Sequence, residues 1–214
     1  MVTVPEATKK IVERSRYLSE AISKGLINYS SLARYIKPEL EEMLLKKVSI
    51  ASIIMALNRL ESDFQPKFTQ SNIFKTPPEI TVRSNLILAG LSNIDVQGLS
   101  ILISRDTNSR SLFLKNQGIH EASFIMSQDL FEKYKNTIES KNPLVFQDKV
   151  STITIYLPKE AQETSGIYYF FLKSLAWEGI NILELVSTPQ ELTIVVSDHD
   201  VERAFGIIKS LFAS

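Results

Sequence analysis

The stretch TITIYLPKEAQETSGIYYFFLKSLAWEGINILELVSTPQELTIVVSDHDVERAFGIIKSLF, residues 152–212, decides the fold. Thr152 to Leu157 alternates polar and apolar side chains, the period of a half-buried strand. Ser165 and Gly166 then open a helix through Phe170, Phe171, Leu172, Leu175 and Ala176, which Gly179 stops. Ile182 to Val186 and Leu192 to Val196 read as two further strands about the turn Ser187-Thr188-Pro189-Gln190. Asp198 is placed to cap a last helix with Val201, Ala204, Phe205, Ile208, Leu211 and Phe212 on one face. The order β-α-β-β-α is one strand short of a ferredoxin-like unit, in which helices cover one face of an antiparallel sheet. An unpaired edge is an aggregation hazard. A fourth strand is therefore expected from elsewhere, and Ile80 to Leu88 is the candidate.

Upstream, Ile80, Val82, Leu86 and Leu88 keep one parity. Ile101 with Ile103, then Leu112 to Leu114, then Ala122, Phe124 and Met126 read as three short strands. A helix from Gln128 to Ile138 follows, ended by Asn142-Pro143. Residues 63–79 lose periodicity and collect Pro66, Pro77 and Pro78, which reads as a linker. The first 62 residues are helical in pattern. Pro5 suits a helix entrance, and Ile11, Ser15, Leu18 and Ile22 repeat at helical spacing up to Gly25. Asn28, Ser30 and Ser31 offer caps for a short helix through Leu32, Ala33 and Ile36, and Pro38 opens another around Leu40, Met43, Leu44 and Leu45. Ser49 caps the strongest, with Ile50, Ile53, Ile54, Leu57 and Leu60 as its apolar stripe. The fold class is α+β: an all-α domain at 1–62, a linker at 63–79 and a sheet-containing module at 80–214.

The 214 residues are 44% hydrophobic and 22% charged, the balance of a globular protein. Lys plus Arg equals Asp plus Glu, 24 against 24, so no global field draws the chain to nucleic acid or membrane. With no cysteine, disulfides and thiolate metal sites are excluded. The first residues lack a charged segment followed by an apolar one, and nothing approaches the roughly 18 apolar residues of a membrane span. A cytoplasmic protein without a membrane partner is expected.

Evidence for catalysis is absent. The seven glycines never stand closer than eight residues apart, which excludes both the P-loop and the dinucleotide fingerprint. His120 and His199 are the only histidines, so no metal and no cofactor is expected. His199, between Asp198 and Asp200, sits where acidic side chains meet the positive end of a helix dipole. Glu163-Thr164-Ser165-Gly166-Ile167 joins a strand to a helix entrance whose N–H groups favour a carboxylate. Glu163, Asn181 and loop carbonyls are acceptors for an ammonium group. The same residues also suit an ordinary helix entrance.

The run Ile153 to Phe212 resembles the C-terminal ACT domain of aspartokinases. The resemblance rests on Glu163-Thr164-Ser165-Gly166 in place of an Asp-x-Pro-Gly-like loop, on Gly179-Ile180-Asn181-Ile182, and on Ser187-Thr188-Pro189-Gln190-Glu191-Leu192-Thr193-Ile194-Val195-Val196. Glu163 replaces the usual Asp and Ser165 the usual Pro. In that family one ACT unit is inserted within another, and a strand preceding the insert completes the outer sheet. Glu121 to Leu130 is similar to the last strand and helix entrance of an inner unit. The resemblance implies an outer unit of 80–91 plus 150–214 around an inner unit of 92–149, with no kinase domain. It also implies a homodimer and an amino-acid effector held by Glu163, Thr164, Ser165, Gly166, Ile167, Asn181, Ile182 and Ser187.

Residues 1–62 look somewhat like a helix-turn-helix unit. The helix from Ser49 offers Ser52, Asn58 and Arg59 to base edges, with Lys46 and Lys47 before it for phosphates. The alternative is a helical bundle for dimerisation or for docking onto the ACT-like units, which leaves DNA and a protein open as partners.

Overall fold

The computed structural model describes residues 2–63, 73–93, 96–108 and 110–212, with the backbone alone for Arg16, Glu61, Ser62, Asp63 and Gln97. The chain forms two compact units, residues 1–69 and 70–214. Most of the expected linker, residues 64–72, lies outside the described residues. Ile73 and Phe74 fall within that stretch too, yet both are buried in the second unit, with the Phe74 ring 5.0 Å from Phe212 and 6.1 Å from Phe171.

Among the described residues the first unit has four helices: α1 (Val4–Arg14), α2 (Arg16–Ser23), α3 (Tyr29–Leu44) and α4 (Ile50–Asp63). Their apolar stripes meet in one core of Ala7, Ile11, Val12, Ile22, Leu32, Ala33, Ile36, Leu40, Ile53 and Leu57. Two expectations are corrected. The helix read from Pro5 to Gly25 breaks at Ser15, whose backbone is extended and whose hydroxyl accepts from the Leu18 N–H, so that it caps a new helix. Pro38 opens no helix but lies inside α3. Leu32, Ala33, Ile36 and Leu40 keep one stripe buried across it. That packing outweighs the roughly 3 kcal/mol a mid-helix proline costs.

The second unit holds one antiparallel sheet with the order β2-β3-β1-β4-β6-β5. Its strands are β1 (Ile80–Ser92), β2 (Phe113–Gln117), β3 (Glu121–Ser127), β4 (Val145–Tyr156), β5 (Glu184–Thr188) and β6 (Glu191–Ser197). Its α-helices with described bounds are α5 (Val96–Asp106), α6 (Gln128–Glu139), α7 (Ile167–Trp177) and α8 (Val201–Ser210). β1 and β4 are the long strands, with 13 and 12 residues, and each serves both halves of the sheet. β1-α5-β2-β3-α6-β4 completes one ferredoxin-like βαββαβ unit. β4-α7-β5-β6-α8 makes the other, and its missing strand is supplied by Ile80 to Arg83 pairing with Ile155 to Thr152. The expected pairing of Ile80–Leu88 with the C-terminal sheet is present.

Three readings in this unit are corrected. Ile101 and Ile103 lie on α5 and not on a strand. Val96, Leu99 and Ile103 form its buried stripe while Ile101 and Leu102 face solvent, a 3.6-residue period that two isoleucines alone do not reveal. β5 starts at Glu184, two residues later than read. Asp198 does not cap α8, whose N-cap is Asp200. It accepts instead from Ser151 Oγ at 2.5 Å, and Ser151 Oγ stands 2.7 Å from Ser84 Oγ.

At the junction of the halves the ladder slips twice. Between the pairs Arg83↔Thr152 and Leu86↔Val150, β1 has one residue more than β4; between Leu86↔Val150 and Leu88↔Gln147, β4 has one more. These are reciprocal bulges, and each carries a left-handed residue, Asn85 at φ 60 and Lys149 at φ 53. Each bulge flips the parity of its strand. Ile87, Ala89 and Leu91 therefore face α5 and α6 with Phe124 and Met126. Leu86 and Leu88 turn to the other face and pack with Ile125, Val150 and Val195, flanked by Leu114, Leu183 and Val186. That cluster joins residues of both halves, so the sheet curls on its helix-free side. Glu184 Oε1 fixes the curl, accepting from Ser123 Oγ at 2.5 Å and Asn116 Nδ2 at 2.9 Å. Among the described residues no helix is long and apolar enough to cross a membrane.

Two outcomes are expected. Asp106 at the end of α5 takes hydrogen bonds from Lys133 Nζ (2.5 Å) and from Tyr134 on α6. The Lys133 contact first, and Tyr134 second, hold its carboxyl below the ordinary 3.8. The lowered value means that its contribution is complete above pH 3.8 and is lost as pH falls below it. The melting-temperature gap between wild type and Asp106→Ala should therefore be constant near neutral pH and close in acid; a gap unchanged in acid contradicts the clasp. Glu184→Ala removes the shared acceptor of Ser123 and Asn116 and should destabilise the sheet by about 1–3 kcal/mol. Hydrogen exchange should accelerate in β2 and β5 while α5 and α6 keep their protection; unaltered exchange in both strands contradicts the link.

Candidate functional site

β4 ends at Tyr156, opposite Glu191 on β6, which faces Thr188 on β5. The Leu157 N–H donates to the Gln190 carbonyl at 2.7 Å, tying the chain leaving β4 to the β5–β6 turn. A 3-10 turn, Lys159–Glu163, follows, and Glu163 at its end is exposed. Thr164 donates its hydroxyl to the Glu160 carbonyl at 2.8 Å and its N–H to the Ala161 carbonyl, which fixes the turn. Ser165 and Gly166 are exposed and Ile167 is buried at 5%. Gly166 is the N-cap of α7 with φ 96, a conformation that strains any L side chain. Among the described residues no side chain caps this helix. The first-turn N–H groups of α7 have no intrahelical acceptor, and the chain runs past them on an exposed loop.

Of the other expected residues, Ser187 lies at the same end of the sheet, one residue from Thr188 and opposite Leu192. Its parity is opposite to Glu184 and Val186, so it faces away from the curled side. Asn181 and Ile182 are elsewhere. The 11-residue α7 separates Gly166 from them, about 16 Å at the helical rise. Ile180 is bonded back to the Leu175 carbonyl at 3.0 Å at the far end of that helix. Asn181 is exposed and Ile182 half-buried. The structure thus groups Glu163, Thr164, Ser165, Gly166, Ile167 and Ser187 at one end of the sheet and Asn181 with Ile182 at the other.

In the first unit Lys46 and Lys47 stand in the α3–α4 turn, and Ser52, Asn58 and Arg59 on α4; all five are exposed. His199 is exposed beside Asp200, its Nδ1 3.4 Å from Oδ1, and His120 is exposed in a loop. The polar groups that sequence reasoning missed, Glu184 with Ser123 and Asn116 and Ser151 with Ser84 and Asp198, join residues 47 to 68 positions apart. No local spacing announces them.

No family model matches the chain, and no curated protein matches it. Solved structures do. The aspartate kinase of Clostridium acetobutylicum, described as an allosteric enzyme, shares 16% identity at a TM-score of 0.52, over 64% of this chain and 35% of its own. The aspartate kinase of Synechocystis shares 14% identity at a TM-score of 0.50, over 76% of this chain and 31% of its own. The regulatory subunit of aspartate kinase from Thermus thermophilus shares 13% identity at a TM-score of 0.47, over 62% and 96%. This chain spans about a third of the length of the two kinases. At such identities the likeness to the kinases shows a fold: the second unit has the ferredoxin-like, ACT-type architecture that residues 153–212 led one to expect.

Proposed function

We propose that the chain is a non-catalytic regulatory protein that senses a free amino acid and passes the binding to a partner. One observation carries the reading: two ACT-type halves share β1 and β4, and the uncapped entrance of α7 opens at the end of one of them. A carboxylate suits the positive end of α7 at Gly166, where the absence of a side chain allows close approach. Glu163 is an acceptor for a second positive charge and favours a basic amino acid such as lysine. Because Gly166 and Asn181 stand at opposite ends of α7, a helix roughly 16 Å long at the helical rise, a single small ligand reaches both only where two copies meet. The site is therefore assigned to a homodimer contact, with the Asn181 amide both donating and accepting from the second copy. A ligand there favours one packing of the units over another, which is the origin of any signal.

Thermal-shift measurements against the twenty amino acids test this, since a ligand at 100 times its dissociation constant adds about 2.7 kcal/mol. Titration calorimetry of variants then locates the site. Ser165→Glu places a like charge beside the carboxylate and should abolish binding, and Asn181→Ala should cost about 1–3 kcal/mol. Glu163→Gln should weaken a basic amino acid more than a neutral one. If no amino acid binds, or if all three variants bind as wild type does, the loop is only a helix entrance and the ACT-type sheets serve assembly alone.

A further inference from the structure

From Met43 to Leu60 the chain carries Lys46, Lys47 and Arg59 and no Asp or Glu. The turn that holds the two lysines is fixed on three sides. Glu41 Oε1 accepts the Val48 N–H at 2.8 Å and pairs with Lys37 Nζ at 2.9 Å, the Lys46 N–H reaches the Glu41 carbonyl at 3.3 Å, and Val48 is buried. Leu45 is held at φ 50 and is 91% exposed, a conformation and an exposure that leucine does not choose by itself. The turn therefore displays Leu45, Lys46 and Lys47 in one geometry. Ser49 caps the following turn, its Oγ accepting the Ser52 N–H at 3.1 Å.

Beyond that turn, α4 buries Ile53, Ala56, Leu57 and Leu60 and exposes Ser52, Met55, Asn58 and Arg59. These four cover about 10 Å of one helix face. Lys46, Ser52, Met55 and Arg59 line a shallow hollow of about 400 Å³ with Thr3 and neighbours at the start of α1. The acidic side chain nearest in sequence to that wall, Glu6, is turned back onto the Thr3 N–H at 2.8 Å in a capping box. Here cations flank an amide, a hydroxyl and one apolar side chain, the set that reads base edges and thymine methyl groups.

We propose that α3, the turn at 45–49 and α4 bind double-stranded nucleic acid, with the Ser52, Met55, Asn58 and Arg59 face in the major groove and Lys46 and Lys47 on flanking phosphates. The inference is independent of the amino-acid reading, because it rests on the first unit alone. Fluorescence anisotropy of the full chain on a randomised duplex, then on sequences selected from that pool, tests it. Two lysines on phosphates, with Arg59 in the groove, give a log–log salt slope of roughly −2 to −3 per chain. Lys46→Glu with Lys47→Glu should reduce the slope by about 2 and weaken every sequence at least tenfold, whereas Lys135→Glu in the second unit should change nothing. Asn58→Ala should weaken only the selected sequence, by roughly 5- to 150-fold, and relax the preference at one position. The proposal is overturned if the chain binds no duplex at low salt, or if the double lysine variant binds as wild type does. It is equally overturned if polyglutamate is bound with the same salt slope and no sequence is enriched, since the surface then serves an acidic protein.

Discussion

The antiparallel pairing of β1 with β4 is the constraint on which the second unit depends. Neither half of the sheet has four strands without both of them. The pairing runs from Ile80↔Ile155 to Gly90↔Val145, and its two slips at the middle are equal and opposite. One bulge alone would turn half of a strand inside out, putting Ile87 and Ala89 where Leu86 and Leu88 now lie. Two reciprocal bulges keep the apolar sets of both strands in phase. Each helix pair then finds a buried face, and Leu86, Leu88, Ile125, Val150 and Val195 gather on the other.

That arrangement ties the halves mechanically. A change at the end of β4, where the chain leaves Tyr156 for the α7 loop, acts on a strand whose other end is paired with Gly90 beneath α6. The curl held by Glu184 brings the outermost strands β2 and β5 within side-chain reach. Close-packed interiors switch between discrete arrangements and deform little in between. The shared strands and the Glu184 link are the elements with contacts to both halves, so neither half rearranges without the other.

Much of this was legible in the sequence where a pattern runs long enough to be counted. Thr152 to Leu157 and Leu192 to Val196 show their alternation, α8 and α4 show their stripes, and the need for a fourth strand follows from counting. Short patterns misled: Ile101 and Ile103 satisfy a two-residue period by accident, and only Val96 and Leu99 reveal the helix. Pro38 misled because the burial of Ile36 and Leu40 in one continuous stripe overrides a local rule. The α7 loop was legible as a helix entrance, since Gly166 precedes an apolar helix. That Asn181 lies past the far end of that helix followed from the stop at Gly179, yet the motif resemblance grouped it with the loop, because similarity of motifs says nothing of distance. Glu184, Ser123 and Asn116 meet only through the curl, which no local residue pattern encodes.

The shared strands admit a direct test, since the chain has no cysteine of its own. Thr81→Cys with Thr154→Cys pairs opposed residues in one half, and Gly90→Cys with Val145→Cys does so in the other, where a Cβ on residue 90 would stand 3.3 Å from that of Val145. That is close to the Cβ separation of a disulfide, about 3.5–4.5 Å. Mild oxidation followed by mass spectrometry of tryptic peptides should find the cross-link in both pair variants and none when Thr81→Cys is combined with Val145→Cys. A cross-link in the mismatched variant, or its absence from either matched one, contradicts a sheet whose halves are built on the same two strands.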